Sequence, residues 1–239
     1  MVRESLARKF KPAGFEQPEG SRKNYIKPRK ELQEAFDKWV EELPEVLPDR
    51  DDSEEQYKKA CELIDPIGEI PYREANSLLA DFNPKTKGQI EAGLFISACY
   101  THSPEDTIIF DLDAPDIACI GYKTNKNIFN NGEVGNWFAW NSSGLSVNNG
   151  ECGDGFASYS SGLAIAVKEP KSYGYKEKGR MIKPEDCDRI SELKIYFEEL
   201  CEITRNIKDE ESAKRFLERY GSEPKERIEN DIKNITNQC

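Results

Sequence analysis

The sequence predicts an α+β fold in which a short β-solenoid is flanked by an N-terminal and a C-terminal helical layer. Apolar residues recur at helical spacing near both ends of the chain, while the middle has short runs rich in β-branched and aromatic residues. Within that middle region, residues 130 to 147 are followed directly by a close copy, residues 148 to 165. The chain of 239 residues can bury a sizeable core, and we expect residues 28 to 239 to form one folded unit.

Residues 1 to 27 predict an extended basic arm. Residues 1 to 30 contain nine Lys or Arg and three Glu, a balance of +6 in a chain whose net charge is -11. Proline and glycine interrupt the segment, so no helical or strand period develops. The arm could bind phosphates, serve as a solubilising tail, or fold back on the acidic body of its own chain. The candidate binding residues are Arg8, Lys9, Lys11, Arg22 and Lys23.

Residues 28 to 103 predict a helical region with four amphipathic segments. Pro44 and Pro66 end the first two segments, and Pro71 fits the first turn of the third. The apolar stripe of the first segment consists of Leu32, Phe36, Trp39, Val40 and Leu43.

Two further details of this region concern caps and close contacts. Asp52 or Ser53 is suited to cap the second helix, because a short polar side chain accepts a hydrogen bond from a free N–H of the first turn. Gly93 and Ser97 lie one turn apart in the fourth helix, so another element could approach it closely there.

Residues 184 to 239 predict the C-terminal helical layer. Two shorter helices are expected over 212 to 220 and 223 to 235, and Gly221 between them is a natural stop. One face of the first helix consists of Ile190, Leu193, Phe197, Leu200, Cys201 and Thr204.

Residues 104 to 170 predict the β region. The runs 107 to 113 and 116 to 122 are short, β-branched or aromatic, and bounded by polar residues or proline, so each predicts a strand. The duplicated segment follows, with eleven identities in eighteen positions. The identities are Asn130/Asn148, Asn131/Asn149, Gly132/Gly150, Glu133/Glu151, Gly135/Gly153, Phe138/Phe156, Ala139/Ala157, Ser142/Ser160, Ser143/Ser161, Gly144/Gly162 and Leu145/Leu163.

Two architectures can produce this duplication. In an antiparallel β-meander the Asn-Asn-Gly and Ser-Ser-Gly steps would be hairpin turns. In a β-solenoid they would be corners, where glycine and asparagine adopt unusual backbone angles, and each residue would lie about 4.8 Å from its copy. The solenoid is favoured because residues between the turns also match, and only stacking gives them a reason to match. The stacked pairs would be Phe138 with Phe156, Leu145 with Leu163 and Asn131 with Asn149.

The glycine spacing of the two copies resembles that of the GXGXG-type β-helix module, which occurs at the carboxyl end of glutamate synthase and in the C subunit of formylmethanofuran dehydrogenase. The matching residues are Gly132, Gly135 and Gly144 in the first copy and Gly150, Gly153 and Gly162 in the second. In those families the β-helix is a structural spacer and docking surface. The resemblance therefore implies a scaffold.

Two groups of residues in the β region are candidates for binding. Trp137, Trp140 and Tyr159 would bind a sugar, a base or a peptide if they formed an exposed ladder, although aromatic residues ordinarily pack in a core. The second group is an acidic corner in which stacking would place Glu133 against Glu151, with Asp154 beside them. Such carboxylates either share a cation or turn to water. Glu133, Glu151 and Asp154 are therefore candidates for binding a cation or a substrate, although the sequence predicts no cofactor and no metal centre.

Two other patterns contain residues of the kind that act in catalysis, but neither predicts a catalytic site. Residues 107 to 116 resemble the first motif of haloacid-dehalogenase-type phosphatases, with Asp111 as nucleophile and Asp113 as acid or base. Pro115 stands where that motif has threonine, and no alternation of strands and helices follows, so we reject this function. His102 is the only histidine and lies at the predicted end of a helix, where the helix dipole stabilises it.

The function predicted from the sequence is that of a cytoplasmic, non-enzymatic binding or scaffold protein. Seven cysteines without a C-x-x-C pair indicate reduced thiols, and the longest apolar run, residues 92 to 100, is too short to span a membrane. The expected partner is a protein or a ribonucleoprotein such as the ribosome, since only the arm would attract phosphate. A homo-oligomer formed at an uncapped solenoid end is also expected. The alternative is an enzyme that acts on a carbohydrate or polyanionic substrate through the acidic corner.

Overall fold

The structure, a computed structural model, describes residues 26–42, 50–80, 82, 88–174, 180–183, 190–221 and 224–238. Within these ranges the chain forms an α+β fold with seven α-helices and a parallel β-solenoid of about four turns, flanked by helices. This is the predicted fold class. In the described part of the chain, no helix combines the length and the apolar character needed to cross a membrane.

The N-terminal helical layer has four helices, as predicted. The stripe on the first helix is confirmed at Leu32, Phe36 and Trp39, which are buried, while Val40 is half-buried and Leu43 lies outside the described residues. Asp52 and Ser53 both lie inside the second helix and not at its start, so the predicted cap is wrong. The helices are α1 Lys30–Glu42, α2 Arg50–Ile64, α3 Tyr72–Ala80 and α4 Gln89–Thr101, and a 3-10 turn, Asp65–Ile67, follows α2.

The β-strands form two parallel sheets on two sides of the coil. One sheet has five strands in the order β1-β3-β5-β7-β8, and the other has three in the order β2-β4-β6. Because successive turns pair in parallel, the chain winds as a solenoid. The strands are β1 Thr107–Phe110, β2 Asp113–Ala114, β3 Asn127–Asn130, β4 Glu133–Val134, β5 Leu145–Asn148, β6 Glu151–Cys152, β7 Leu163–Ala166 and β8 Arg180–Ile182.

The register places the second copy of the duplication beside the first. Leu145 pairs with Leu163, and the rings of Phe138 and Phe156 stack with centroids 6.0 Å apart and planes 9° apart. The β-meander is excluded because all strand pairs between the described residues are parallel.

The repeated glycines allow neighbouring coils to lie close together. A Cβ on Gly144 would lie 2.1 Å from the carbonyl oxygen of Lys126, and one on Gly162 would lie 2.0 Å from that of Gly144. Neither glycine has a left-handed φ, and the same holds for Gly132, Gly135, Gly150 and Gly153. The expectation that the repeated glycines supply unusual backbone angles is therefore wrong; they are needed because a side chain would meet the next coil.

The close approach predicted at Gly93 and Ser97 of α4 is confirmed. A Cβ on Gly93 would lie 1.7 Å from the carbonyl oxygen of Ala118 in the first coil. Ser97 Oγ lies 2.9 Å from the carbonyl oxygen of Cys119 and accepts a hydrogen bond from the N–H of Tyr122 at 3.0 Å. The N-terminal layer is thus bonded directly to the first coil.

The C-terminal layer consists of α5 Ser191–Arg205, α6 Glu210–Tyr220 and α7 Pro224–Gln238. The rings of Phe129 in β3 and Phe216 in α6 meet edge to face with centroids 5.3 Å apart. The C-terminal helices therefore pack against the five-stranded sheet at β3.

Two β predictions differ from the structure. Residues 116 to 122 are not a strand but part of a turn-rich third side of the first coil. The last strand, β8, lies beyond residue 170, where the sequence is polar and highly charged and gives no strand signal.

Candidate functional site

The third side of the first three coils has alternate residues in left-handed backbone conformation, with φ between 52° and 79°. Such angles cost about 1 kcal/mol or more for a residue with a Cβ. Bonds between coils hold them: the N–H of Ala139 donates to Ile120 O, and the N–H of Ala157 to Phe138 O, both at 2.8 Å. The residues are Cys119, Gly121 and Lys123 in the first coil, Trp137, Ala139 and Asn141 in the second, and Gly155, Ala157 and Tyr159 in the third.

The indole of Trp137 lies against Gly155 of the next coil on this third side. A Cβ on Gly155 would lie 2.6 Å from Trp137 Cδ1 and 3.0 Å from its Nε1, so the glycine leaves the space that the indole occupies. Ser158 Oγ is also within 3.2 Å of that Cβ position. The two copies differ here, with tryptophan at 137 and glycine at 155, because a large side chain in one coil packs against a residue without a side chain in the next.

Trp140 is buried and continues an aromatic row into the helical layer. It is 6 % exposed, and its ring meets that of Tyr122 edge to face at 5.2 Å, as Tyr122 does with Tyr57 of α2 at the same distance. Its Nε1 has no hydrogen-bond partner among the described residues. Trp140 is therefore a packing residue.

The three aromatic candidates do not form a single exposed ladder. Trp140 is in the core, Trp137 is half-buried, and Tyr159 is 38 % exposed. Trp137 and Tyr159 offer an aromatic surface on neighbouring coils, edged by the exposed polar residues Asn136 and Asp154.

The acidic corner extends over three coils. Asp113 pairs with Glu133, and Glu133 pairs with Glu151, in the parallel register of the three-stranded sheet. Lys168 Nζ forms an ion pair with Glu151 at the end of this row. Positive charge therefore already neutralises one carboxylate of the candidate pair.

Asp154 is exposed, and its backbone N–H donates to Asn136 Oδ1 of the preceding coil at 2.8 Å. Across the described ranges, no group of three or more His, Cys, Asp or Glu side chains is placed to hold a metal ion. The row supplies negative potential along one corner of the solenoid.

Arg29 fixes the point where the basic segment joins the folded body. Its Nε lies 2.9 Å from Glu74 Oε1 and its Nη2 lies 2.8 Å from Glu74 Oε2, while Nη2 also donates to Glu69 O at 3.0 Å. Glu74 is 5 % exposed, and its hydrogen bonds raise the pKa of Arg29 further. The predicted contacts Arg8, Lys9, Lys11, Arg22 and Lys23 lie outside the described residues.

Asp111 and His102 have structural surroundings. Asp111 follows β1 and is half-buried, and desolvation raises its pKa above the ordinary 3.8. Nearby, Arg73 of α3 donates to Tyr72 Oη at 3.2 Å and pairs with Glu210 of α6 at 3.5 Å. His102 is the C-cap of α4, as predicted, with Nε2 2.8 Å from an aspartate oxygen of the preceding 3-10 turn.

Two features of the chain were not found by sequence reasoning. The first is the pair Asn131 and Asn149, whose side-chain amides donate to Ile207 O at 2.6 Å and Thr204 O at 2.9 Å. The second is the positive charge of residues 166 to 183, which charge counting would have revealed, since this range has six Lys or Arg and two Glu.

Comparison of this chain with known protein families, with curated proteins and with solved structures finds no match.

Proposed function

We propose that this chain is a non-enzymatic binding and scaffold protein that attaches to a nucleoprotein particle, such as the ribosome, through its basic N-terminal segment. The observation that supports this most directly is the ion pair of Arg29 with the buried Glu74. This ion pair joins a segment with a net charge of +6, residues 1 to 30, to a body with a net charge of -17. The folded body, with the solenoid at its centre, is the scaffold to which residues 26 to 30 join this segment.

Charge separation gives the proposal its physical basis. A body of -17 repels phosphate, so a polyanion can approach only where lysines and arginines are concentrated. Basic segments bind nucleic acid by releasing condensed counterions, which makes affinity strongly dependent on salt. The proposal therefore predicts a steep salt dependence that the N-terminal segment alone produces.

The experiment compares two variants of equal net charge. In the arm variant, Arg8, Lys9, Lys11, Arg22 and Lys23 become Gln. In the control, five exposed body residues become Gln: Lys59, Lys208, Lys214, Arg215 and Lys233. Binding to a labelled single-stranded RNA and co-sedimentation with purified ribosomes are measured over a range of salt concentrations.

We expect the arm variant to lose at least tenfold in RNA affinity at about 0.1 M salt, with a log-log salt slope smaller by up to about 3.5, because each phosphate contact contributes about 0.7. The control should keep the affinity and slope of the natural sequence. Equal losses in both variants, or no loss in the arm variant, would show that the segment is not the nucleoprotein contact.

The alternative, an enzyme that acts on a carbohydrate or polyanionic substrate through Glu133, Glu151 and Asp154, stays a prediction. The row of carboxylates repels a polyanion, and Lys168 already pairs with Glu151. A neutral carbohydrate is the substrate class that best fits this corner.

A further inference from the structure

We propose that Asn131 is a site of spontaneous deamidation that becomes reactive when α5 leaves the solenoid, and that the product prevents α5 from docking again. The junction between α5 and the second coil is then an irreversible, time-dependent switch. This inference concerns the junction alone and does not depend on the function proposed above.

The sequence contains two Asn-Gly steps, Asn131-Gly132 and Asn149-Gly150, within identical runs of Asn-Asn-Gly-Glu. Deamidation begins when the backbone nitrogen of the following residue loses its proton and attacks the side-chain carbonyl carbon of the asparagine. Glycine favours this attack, because it has no side chain to hinder it and its backbone adopts a wide range of angles. The two steps therefore have the same intrinsic reactivity, and a difference between them in the folded chain must come from tertiary contacts.

The reaction at Asn131 needs no reagent except water. The Gly132 nitrogen forms a bond to Asn131 Cγ, the bond between Cγ and Nδ2 breaks, and Nδ2 leaves as ammonia with the proton of the former N–H. Water then opens the five-membered succinimide ring. Opening at one carbonyl gives aspartate, and opening at the other gives isoaspartate, in which the backbone runs through the side-chain carbon.

The docked α5 opposes this reaction. Asn131 Nδ2 donates to Ile207 O, two residues beyond the end of α5, at 2.6 Å. Asn131 Oδ1 accepts a hydrogen bond from Asn149 Nδ2 at 2.9 Å. Ring formation moves Cγ onto the Gly132 nitrogen and expels Nδ2, so the bond to Ile207 O has to break. Local opening of the junction is therefore the step that permits deamidation.

The attacking nitrogen is held less firmly at Asn131 than at Asn149. The N–H of Gly132 donates to a side chain, Asn130 Oδ1, at 3.2 Å, whereas the N–H of Gly150 donates to the backbone carbonyl of Asn130 at 3.0 Å. A side-chain acceptor can rotate away, but a backbone acceptor is fixed by the coil. Gly132 is half-buried and Gly150 is buried. Detachment of α5 therefore frees the first Asn-Gly step and leaves the second protected.

The product at position 131 would not allow α5 to return. A carboxylate has no proton to donate to Ile207 O, and it would lie near the negative end of the α5 dipole. The parallel register places Asp111 at the equivalent position of the first coil. Neighbouring strands are about 4.8 Å apart, so the two carboxylates would repel each other. An isoaspartate product would also lengthen the backbone between β3 and β4.

The test compares two destabilised variants of the full-length protein. Leu200→Ala loosens α5, and the matched control Leu32→Ala loosens α1; both leucines are fully buried. Each protein is incubated at mildly alkaline pH, and deamidation at each Asn-Gly step is followed by peptide mapping with mass spectrometry. The natural sequence in concentrated urea gives the rates of the unfolded chain. Hydrogen exchange in the same samples reports the detachment of α5.

A second pair of variants makes a smaller change, so that the comparison still holds if a Leu→Ala variant does not fold. Ile207→Val removes one methylene group next to the junction, and Ile64→Val removes one in α2. Both isoleucines are buried.

In urea, Asn131 and Asn149 should react at equal rates. In the folded proteins we expect Asn131 to react at least tenfold faster in L200A than in L32A, and faster in I207V than in I64V, with Asn149 slower than Asn131 throughout. Equal rates at Asn131 within a folded pair would show that the reaction follows global unfolding, which overturns the inference. Reaction of Asn149 as fast as Asn131 in folded L200A overturns it as well.

The effect of the product is tested with Asn131→Asp, which carries the same carboxylate. We expect hydrogen exchange in α5 to be at least tenfold faster in this variant than in Asn136→Asp, which makes the same change of charge at an exposed residue of the same coil. Equal exchange in the two variants would show that α5 docks on the product, and the proposed irreversibility would be wrong.

Discussion

Trp137 and Gly155 occupy equivalent positions in the two copies, and the third side of the solenoid requires both. The indole covers the next coil at a place where any Cβ would collide with it, and Gly155 also has a left-handed φ of 76°. Ser158 and Gly174 repeat this relation one coil further on, since a Cβ on Gly174 would lie 2.0 Å from Ser158 Oγ. Packing therefore explains the differences between the copies at these positions. Residues with a role in function are to be sought among those that this packing does not require.

Asp111 gives a prediction about pH at the scale of a single residue. Burial raises its pKa above 3.8, so the folded state binds more protons than the unfolded state between that value and the folded pKa. The free energy of unfolding therefore falls as pH rises through this window and stays lower above it. We expect Asp111→Asn to be more stable than the natural sequence at pH 7, with a difference that shrinks toward pH 4, measured by urea unfolding.

Asp116→Asn is the control for this measurement, because Asp116 is exposed on the same coil. Its difference from the natural sequence should change little over the same pH range. A variant at Asp111 that is less stable than the natural sequence at pH 7 would contradict the prediction.

At the scale of elements, the repeated asparagines join the solenoid to α5. The last carbonyls of a helix lack partners within it, and Asn149 Nδ2 donates to Thr204 O in the last turn of α5 at 2.9 Å. The same amide donates to Asn131 Oδ1 at 2.9 Å, so stacked copies support each other. Two successive coils are thereby bonded to one helix end.

Replacing Asn149 by Asp tests this junction. The carboxylate would face Thr204 O and Asn131 Oδ1 without a donor, and its negative charge would lie near the negative end of the helix dipole. We expect a loss of about 1–3 kcal/mol in the free energy of unfolding, together with faster hydrogen exchange in α5.

Asn136→Asp provides a matched control with the same change of charge. Asn136 Oδ1 acts as an acceptor for the N–H of Asp154, and an aspartate keeps that acceptor. If both variants lose stability equally, the contact with α5 is not the cause.

At the scale of the whole molecule, the sequence predicts the features that follow from the repeat and from apolar periodicity. It does not predict the features that depend on contacts between elements distant in the sequence. The parallel register follows from the copies themselves, and the helical layers follow from their apolar period. The third side could not be predicted, because Trp137, Ala139 and Tyr159 have no local preference for left-handed angles. Bonds between neighbouring coils, such as that of the Ala139 N–H with Ile120 O, hold this side in place. Strand β8 was not predicted because its three residues lie in a highly charged part of the sequence. They form a strand through their pairing with β7.

The two helical layers and the solenoid share a single buried core, which leads to a prediction about cooperativity. The cluster of buried apolar residues runs from Leu32 in α1 through Phe129 in the solenoid to Ile232 in α7. Elements that share a core of this kind unfold together in small domains. We therefore expect one urea transition for the whole described unit.

The three tryptophans allow this to be measured by region. Trp39 lies in α1, where its Nε1 donates to Glu91 O at 2.9 Å, and Trp137 and Trp140 lie in the solenoid. In the variant Trp39→Phe the fluorescence reports the solenoid, and in the double variant Trp137→Phe/Trp140→Phe it reports α1.

Within each variant, fluorescence and far-UV circular dichroism should give the same urea midpoint, because loss of α1 would expose the core on which the first coil packs. A fluorescence midpoint for α1 well below the circular dichroism midpoint of the same variant would show that the N-terminal layer unfolds separately and that residues 28 to 239 are not one cooperative unit.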